Sequence, residues 1–313
     1  MDDRLARIQA KLAALPSTEG AVLDPVLTEQ QVLGFEDQHG IRLPEEFRQF
    51  VTRIGHGGYG PTYGLLPMDR WIPPRMEVHG KLAESFPFAP DAYVSAWFGG
   101  EGGPTFPFPG AITVVWGGCT QYTLLVVTGS GRGRLVEVIA GSDVVPHFHT
   151  DADFLAWYER WLDFTLAGHR DLTWFSHQMA GDEPELVDTL VNDAFATRRN
   201  AAAYTFITYP GPSASLLDVL AQALSTEPHP IVRKTILRAL GAQGEQGRDL
   251  LPAALADPVP DVRRLAASLM TTNTRQGIRL SPKLRRTLAD HLPVEDDRSV
   301  RDTIRWLLDW SHR

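Results

Sequence analysis

The stretch "PVPDVRRLAASLM" at 258–270 has close echoes elsewhere in the chain. Set beside "PHPIVRKTILRAL" (228–240) and "DDRSVRDTIRWLL" (296–308), it shares a Val-Arg pair at its fifth and sixth positions: Val262-Arg263, Val232-Arg233 and Val300-Arg301. The three pairs are 30 and 38 residues apart. A weaker copy, "FATRRNAAAYTFI" (195–207), places Arg199 34 residues before Arg233. Each copy follows an apolar segment of helical spacing: "PELVDTLV", "ASLLDVLAQAL", "GRDLLPAALA" and "SPKLRRTLADHL". A period of this length is one helix pair, and no pair can bury its apolar face alone, so four pairs stacked in a short solenoid are expected.

Proline placement agrees with that reading. Pro230 and Pro260 stand where the first turn of a helix accepts a residue lacking an amide hydrogen, and Asp261 can stabilise the exposed amides beside it. Residues 182–310 resemble HEAT repeats of the short bacterial kind, most closely in "ADPVPDVRRLAA".

The first half has a different texture. Leu5, Ile8, Leu12 and Leu15 share one face of a short helix that should end near Pro16. Thr28 and Gln31 have capping-box spacing at the start of a second helix, which should bury Val32, Leu33 and Phe35 and stop at Gly40. A third helix, "EEFRQFVTRIG", follows Pro44, turns Phe47, Phe50, Val51 and Ile54 inward, and ends at Gly55. Then "YGLLPM", "AITVVWGG", "YTLLVVTG" and "RLVEVIA" read as strands joined by turns, with Gly129, Gly131 and Gly133 in one hairpin. "DADFLAWYERWLDFTL" returns to helix, capped by Asp151 or Asp153, with Trp157 and Trp161 on its apolar face. Helices, then strands, then a helix make this an α+β domain with a predominantly antiparallel sheet.

The glycine-rich stretch "RIGHGGYGPTYGLLP" (53–67) invites a phosphate-binding reading that the spacing rejects. A P-loop needs a preceding strand and a following Lys-Ser/Thr pair that opens a helix; here a helix precedes and a strand follows. "VVTGSGRGRLVEV" likewise lacks dinucleotide-fingerprint spacing, and Ser130 lacks the flanking glycines of a nucleophile elbow. His147 and His149, with Asp151 and Asp153 nearby, could face one side of a strand, but such a cluster reads better as a polar lead-in to a helix cap. Cys119, the sole cysteine, reads as a small buried residue. No catalytic residue, cofactor or metal site is predicted.

"LPEEFRQFVTRIGHGGYGPTYGLLPM", "GCTQYTLLVVTGSGRGRLVEV" and "FLAWYERWLD", in that order across residues 24–165, closely resemble the SUKH superfamily, known for bacterial immunity proteins and a regulator of cell-wall assembly in yeast. Leu43-Pro44, Gly57-Gly58 and Tyr63-Gly64-Leu65 carry its pattern; His56 replaces a common asparagine, and Val136 stands where a tryptophan often does. In this frame Gly55, Gly57, Gly58 and Gly60 make the turn from helix to sheet, Gly64, Gly118, Cys119 and Gly129 mark strand ends, and Trp157 and Trp161 mark the closing helix. The resemblance implies function by binding, typically neutralisation of a polymorphic toxin, nucleases among them. Tyr59, Tyr63, Trp97 and Glu101 are the expected partner contacts.

The charge distribution agrees with a protein partner, or simply aids solubility. Residues 1–168 hold 12 Lys and Arg against 20 Asp and Glu, whereas residues 169–313 hold 18 of each, so the first half carries the whole net charge of −8. An acidic domain repels phosphate backbones and attracts basic proteins, which argues against direct nucleic-acid binding. No apolar run reaches membrane-spanning length, and a single cysteine suits a reducing compartment, so a cytoplasmic protein is expected. The expected organisation is a SUKH-like domain at 1–168 and a HEAT-like domain at 169–313, acting as an immunity protein or as a scaffold joining cellular partners.

Overall fold

The apolar spacing of Leu5 and Ile8 becomes α1 (Asp3–Ala14) in the computed structural model, which describes residues 3–15, 22–72, 81–90, 106–140, 146–169, 172–274 and 277–310. α2 (Glu29–His39) opens with the reciprocal capping box of Thr28 and Gln31 and closes on Gly40 in the left-handed region. α3 (Glu45–Arg53) follows Pro44. Four strands then form an antiparallel meander, β1 (Ala111–Gly118), β2 (Gln121–Val126), β3 (Leu135–Ile139) and β4 (His147–Phe148), in spatial order of sequence. α4 (Phe154–Ala167) is capped by Asp153, whose carboxylate accepts from the Ala156 amide at 2.8 Å. Asp151 instead forms a buried pair with Arg160 at 2.7 Å.

The sheet is covered on both faces, which is why its strands read as unbroken apolar runs. Ile112, Val114, Leu125 and Leu135 join the helical core of Phe47, Phe50, Phe154, Trp157 and Tyr158. Leu124, Val126, Val136 and Val138 bury a second cluster with Phe86, Phe88 and Phe108. Three local expectations are corrected. "YGLLPM" is no strand but two isolated bridges of Leu65, to Gly58 and Val115, because Pro67 lacks an amide donor and the chain turns into a 3₁₀ helix at Met68–Arg70. Leu33 is exposed on the outer face of α2. Cys119 is exposed, in the turn between β1 and β2 with φ +46°.

The glycines of 55–64 serve two purposes. Gly58 and Gly64 both have φ +92°, and a Cβ on Gly64 would fall on the Gly58 carbonyl oxygen. Gly55, Gly57 and Gly60 do not share that conformation; they leave room for Asp24, Leu23 and Leu65.

The chain separates into two compact units, Met1–His177 and Gln178–Arg313. In the second, α5 (Glu183–Asn192) and α6 (Ala196–Thr208) form the first helix pair, α7 (Leu216–Thr226) and α8 (Pro230–Ala242) the second. The third begins with a broken element, α9 (Gly244–Arg248) and a 3₁₀ helix at Leu251–Ala256, in place of the continuous helix expected from "GRDLLPAALA"; Pro252 cannot join an α-helical ladder. α10 (Pro260–Leu269) completes it. A hairpin the strand signals did not announce, β5 (Thr272–Thr274) and β6 (Gly277–Arg279), leads to α11 (Pro282–His291) and α12 (Arg298–Trp310). Leu190, Phe206, Leu220, Ile236, Leu240 and Val262 lie in one continuous core.

Candidate interaction site

Tyr63 is the most exposed large aromatic side chain described, at 74% of its free surface, and its ring stacks on Trp116 with centroids 5.2 Å apart and planes 26° off parallel. Trp116, 37% exposed, ends the buried run of β1. The turn around Thr62 holds the platform: the Thr62 hydroxyl donates to the Trp116 carbonyl at 3.3 Å, and Trp116 Nε1 donates to the Cys119 carbonyl at 3.4 Å. Gly118 makes room for it, since a Cβ there would lie 3.0 Å from the Tyr63 ring. A rigid, exposed aromatic pair of this kind offers large contact area at low entropic cost.

The other expected contacts are placed differently. Tyr59 is half-buried, with its ring 4.9 Å from Trp161 and its carbonyl accepting from the Tyr158 hydroxyl at 2.8 Å. Trp97 and Glu101 lie outside the described residues. Trp116 escaped the sequence reading because β1 shows no apolar-polar alternation that would have marked its sixth residue as facing solvent. Among the described residues, no group of three or more His, Cys, Asp or Glu side chains is placed to hold a metal ion.

In the second unit the repeated arginines form a ladder. Arg199 pairs with Glu227 at 2.8 Å, Arg233 with Asp257 at 2.7 Å, and Arg263 with Glu295 at 2.7 Å, each reaching the loop of the next repeat. Nη1 of each arginine also donates to the carbonyl six residues earlier, Arg199 to Asp193, Arg233 to Glu227, Arg263 to Asp257 and Arg301 to Glu295, at 2.7–3.1 Å. The acid itself accepts from the amide two residues on, at 2.8–2.9 Å. Asp193, Glu227, Asp257 and Glu295 all precede their repeat's arginine by six residues, a second periodic signal in the sequence. Burial opposes ionisation of Glu295, but hydrogen bonds from Arg263, the Asp297 amide and His291 outweigh it and hold the carboxyl down at about 2. The ladder ties adjacent loops together and accounts for the repeated arginines structurally.

A comparison with protein families matches HEAT repeats over residues 183–271 and again over 217–309. Residues 183–309 are HEAT-like repeats. No curated protein and no solved structure matches the chain. HEAT repeats, as a class, are binding modules that stack into an extended surface, which points to a protein-interaction or scaffold role. Ala203, Leu237 and Ala267 are fully buried at one position of the repeat, whereas Arg305, at the same position on α12, is exposed. The same helix also exposes Trp306 and Trp310, whose rings lie 5.8 Å apart.

Proposed function

We propose that the protein is a non-catalytic binding protein whose SUKH-like first unit neutralises a polymorphic toxin by direct contact, with the HEAT-like second unit widening the surface it offers. The observation that carries this reading is the exposed Tyr63–Trp116 stack on the half of the chain that holds all the net negative charge. An aromatic anchor within an acidic field suits a basic protein, with the field raising the association rate and the anchor slowing release. A four-stranded antiparallel meander set between α3 and α4 is consistent with the SUKH resemblance.

The second reading, a regulatory scaffold joining cellular proteins, is favoured by the HEAT-like repeats with their balanced charge. No described helix is long and apolar enough to cross a membrane, and in both readings the protein works in the cytoplasm. The test is capture from a host extract with the full chain and with its Tyr63→Ala/Trp116→Ala variant, followed by mass spectrometry. A basic toxin domain held by the first and lost by the second, with capture weakening as salt rises, supports neutralisation. Housekeeping proteins held equally by both support the scaffold and overturn the aromatic site.

A further inference from the structure

β4 meets the 3₁₀ helix at Leu172–His177 through two imidazole rings. His147 lies opposite Glu137 of β3, and its ring stacks on that of His177 with centroids 4.3 Å apart and planes 27° off parallel. His149, only 2% exposed, has Nε2 at 3.7 Å from Glu137 Oε2, which also accepts from the Thr123 hydroxyl at 3.0 Å. Arg134, just before β3, donates to the His149 carbonyl at 2.8 Å, and Arg160 of α4, paired with Asp151, lies 3.7 Å over the Phe175 ring. His147 Nε2, both ring nitrogens of His149, Trp157 Nε1 and Ser176 Oγ are buried without a hydrogen-bond partner among the described residues.

We propose that the His147–His177 stack is an acid-released clasp: with His147 neutral, the stacked rings hold the 3₁₀ helix at Leu172–His177 against β4, and protonation of His147 frees that helix at the end of the first unit. His147 is half-buried, but its Nε2 is out of solvent, so a proton there places a cation beside two further imidazoles. Among the described residues, the carboxylate set against these rings is Glu137, which accepts from Thr123 and faces His149. Burial first, then His177 and His149, push the His147 imidazole down from 6.5 to about 3, against the upward pull of its hydrogen bond to the Ser176 backbone. Between those values the unfolded segment binds a proton that the folded one refuses, so the clasp is fully stable above pH 6.5 and weakens as pH falls.

The test is hydrogen exchange with mass spectrometry on the full chain at pH 7.5 and 5.0, corrected for intrinsic chemistry. One titrating ring predicts about 30-fold more opening of peptides covering 146–149 and 172–177 at the lower pH, with α11 and α12 unchanged. His147→Phe keeps a ring in place with nothing to protonate, and should abolish the response. His169, stacked on Phe164 and held down at about 4 by burial and Arg160, remains in that variant. A response that survives there therefore belongs elsewhere and overturns the clasp, as does equal protection of the wild type at both pH values. Should His147→Phe fail to fold, an NMR titration of the wild-type rings decides: His147 still neutral at pH 5 supports the clasp, and titration near 6.5 refutes it.

Discussion

Arg263 and Arg264 are adjacent in sequence and both ion-paired, yet removing their side chains should cost very different amounts. Arg263→Ala deletes two hydrogen bonds to Glu295, at 3.0 and 2.7 Å, one to the exposed carboxylate of Asp296 at 2.7 Å, and one to the Asp257 carbonyl at 2.8 Å. It leaves a carboxylate that is 1% exposed with only His291 and the Asp297 amide, each at 2.9 Å. Orphaning a buried charge costs about 3–5 kcal/mol, and the two surviving donors place this case at the low end, about 3 kcal/mol. Arg264 pairs with Asp261 across one turn in open solvent, so Arg264→Ala should cost no more than about 0.5 kcal/mol.

The loss should be local, because each repeat touches only its neighbours. Exchange measurements on the full chain should show α11 and α12 opening roughly 150-fold more often in Arg263→Ala, with α5 and α6 unchanged. The double variant Arg263→Met/Glu295→Leu removes both charges and should recover most of the loss. Equal effects of Arg263→Ala and Arg264→Ala, or a cost below about 1 kcal/mol for the first, would refute a buried ladder. A double variant as weak as the single one would assign the cost to Arg263's other two partners, the Asp257 carbonyl and Asp296.

Three further outcomes follow from the same geometry. Gly64→Ala places a methyl group on the Gly58 carbonyl at φ +92° and should lower the first unit's stability by about 2 kcal/mol or more, whereas Gly34→Ala, in open space on α2, should be neutral or stabilising by about 0.5–1 kcal/mol; thermal unfolding compares them. Arg305→Leu restores the apolar character of the position that Ala203, Leu237 and Ala267 bury in earlier repeats, so it should produce concentration-dependent self-association in sedimentation experiments. The Glu295 carboxyl, held at about 2 against an ordinary 4.5, contributes stability that is complete above pH 4.5 and lost as pH falls towards 2, so ladder protection by exchange should persist to pH 5 in the wild type.

Local signals in the sequence translated well into structure. Thr28 with Gln31, Pro230, Pro260 and Gly40 stand at the helix ends expected of them, because caps act through neighbours a few residues away. The repeated valines are buried and the repeated arginines lie beside them. What pairs with an arginine was not legible from its own repeat, since the partner lies 24–32 residues on and only folding brings it near. The acid six residues before each arginine was open to view, but counts as a signal only once it is set against the same period. At the aromatic site Tyr63 was legible from its glycine-flanked turn, whereas Trp116 was hidden by a strand buried on both faces. Cys119 was misplaced for a similar reason: residue type favours burial, but a tight turn between two strands puts its middle residue in water whatever its polarity.

The two units resist acid by opposite chemistry, and that separates their working ranges. In the first, His147 must stay neutral, so stability begins to fall below pH 6.5. In the second, Glu227 and Glu295 must stay charged, and both are held below the usual carboxylate range by their arginines despite burial. Between pH 6.5 and 4.5, therefore, the segment ending at His177 loosens while the ladder remains intact. Because the two core clusters share no buried residue among those described, loosening one need not unfold the other.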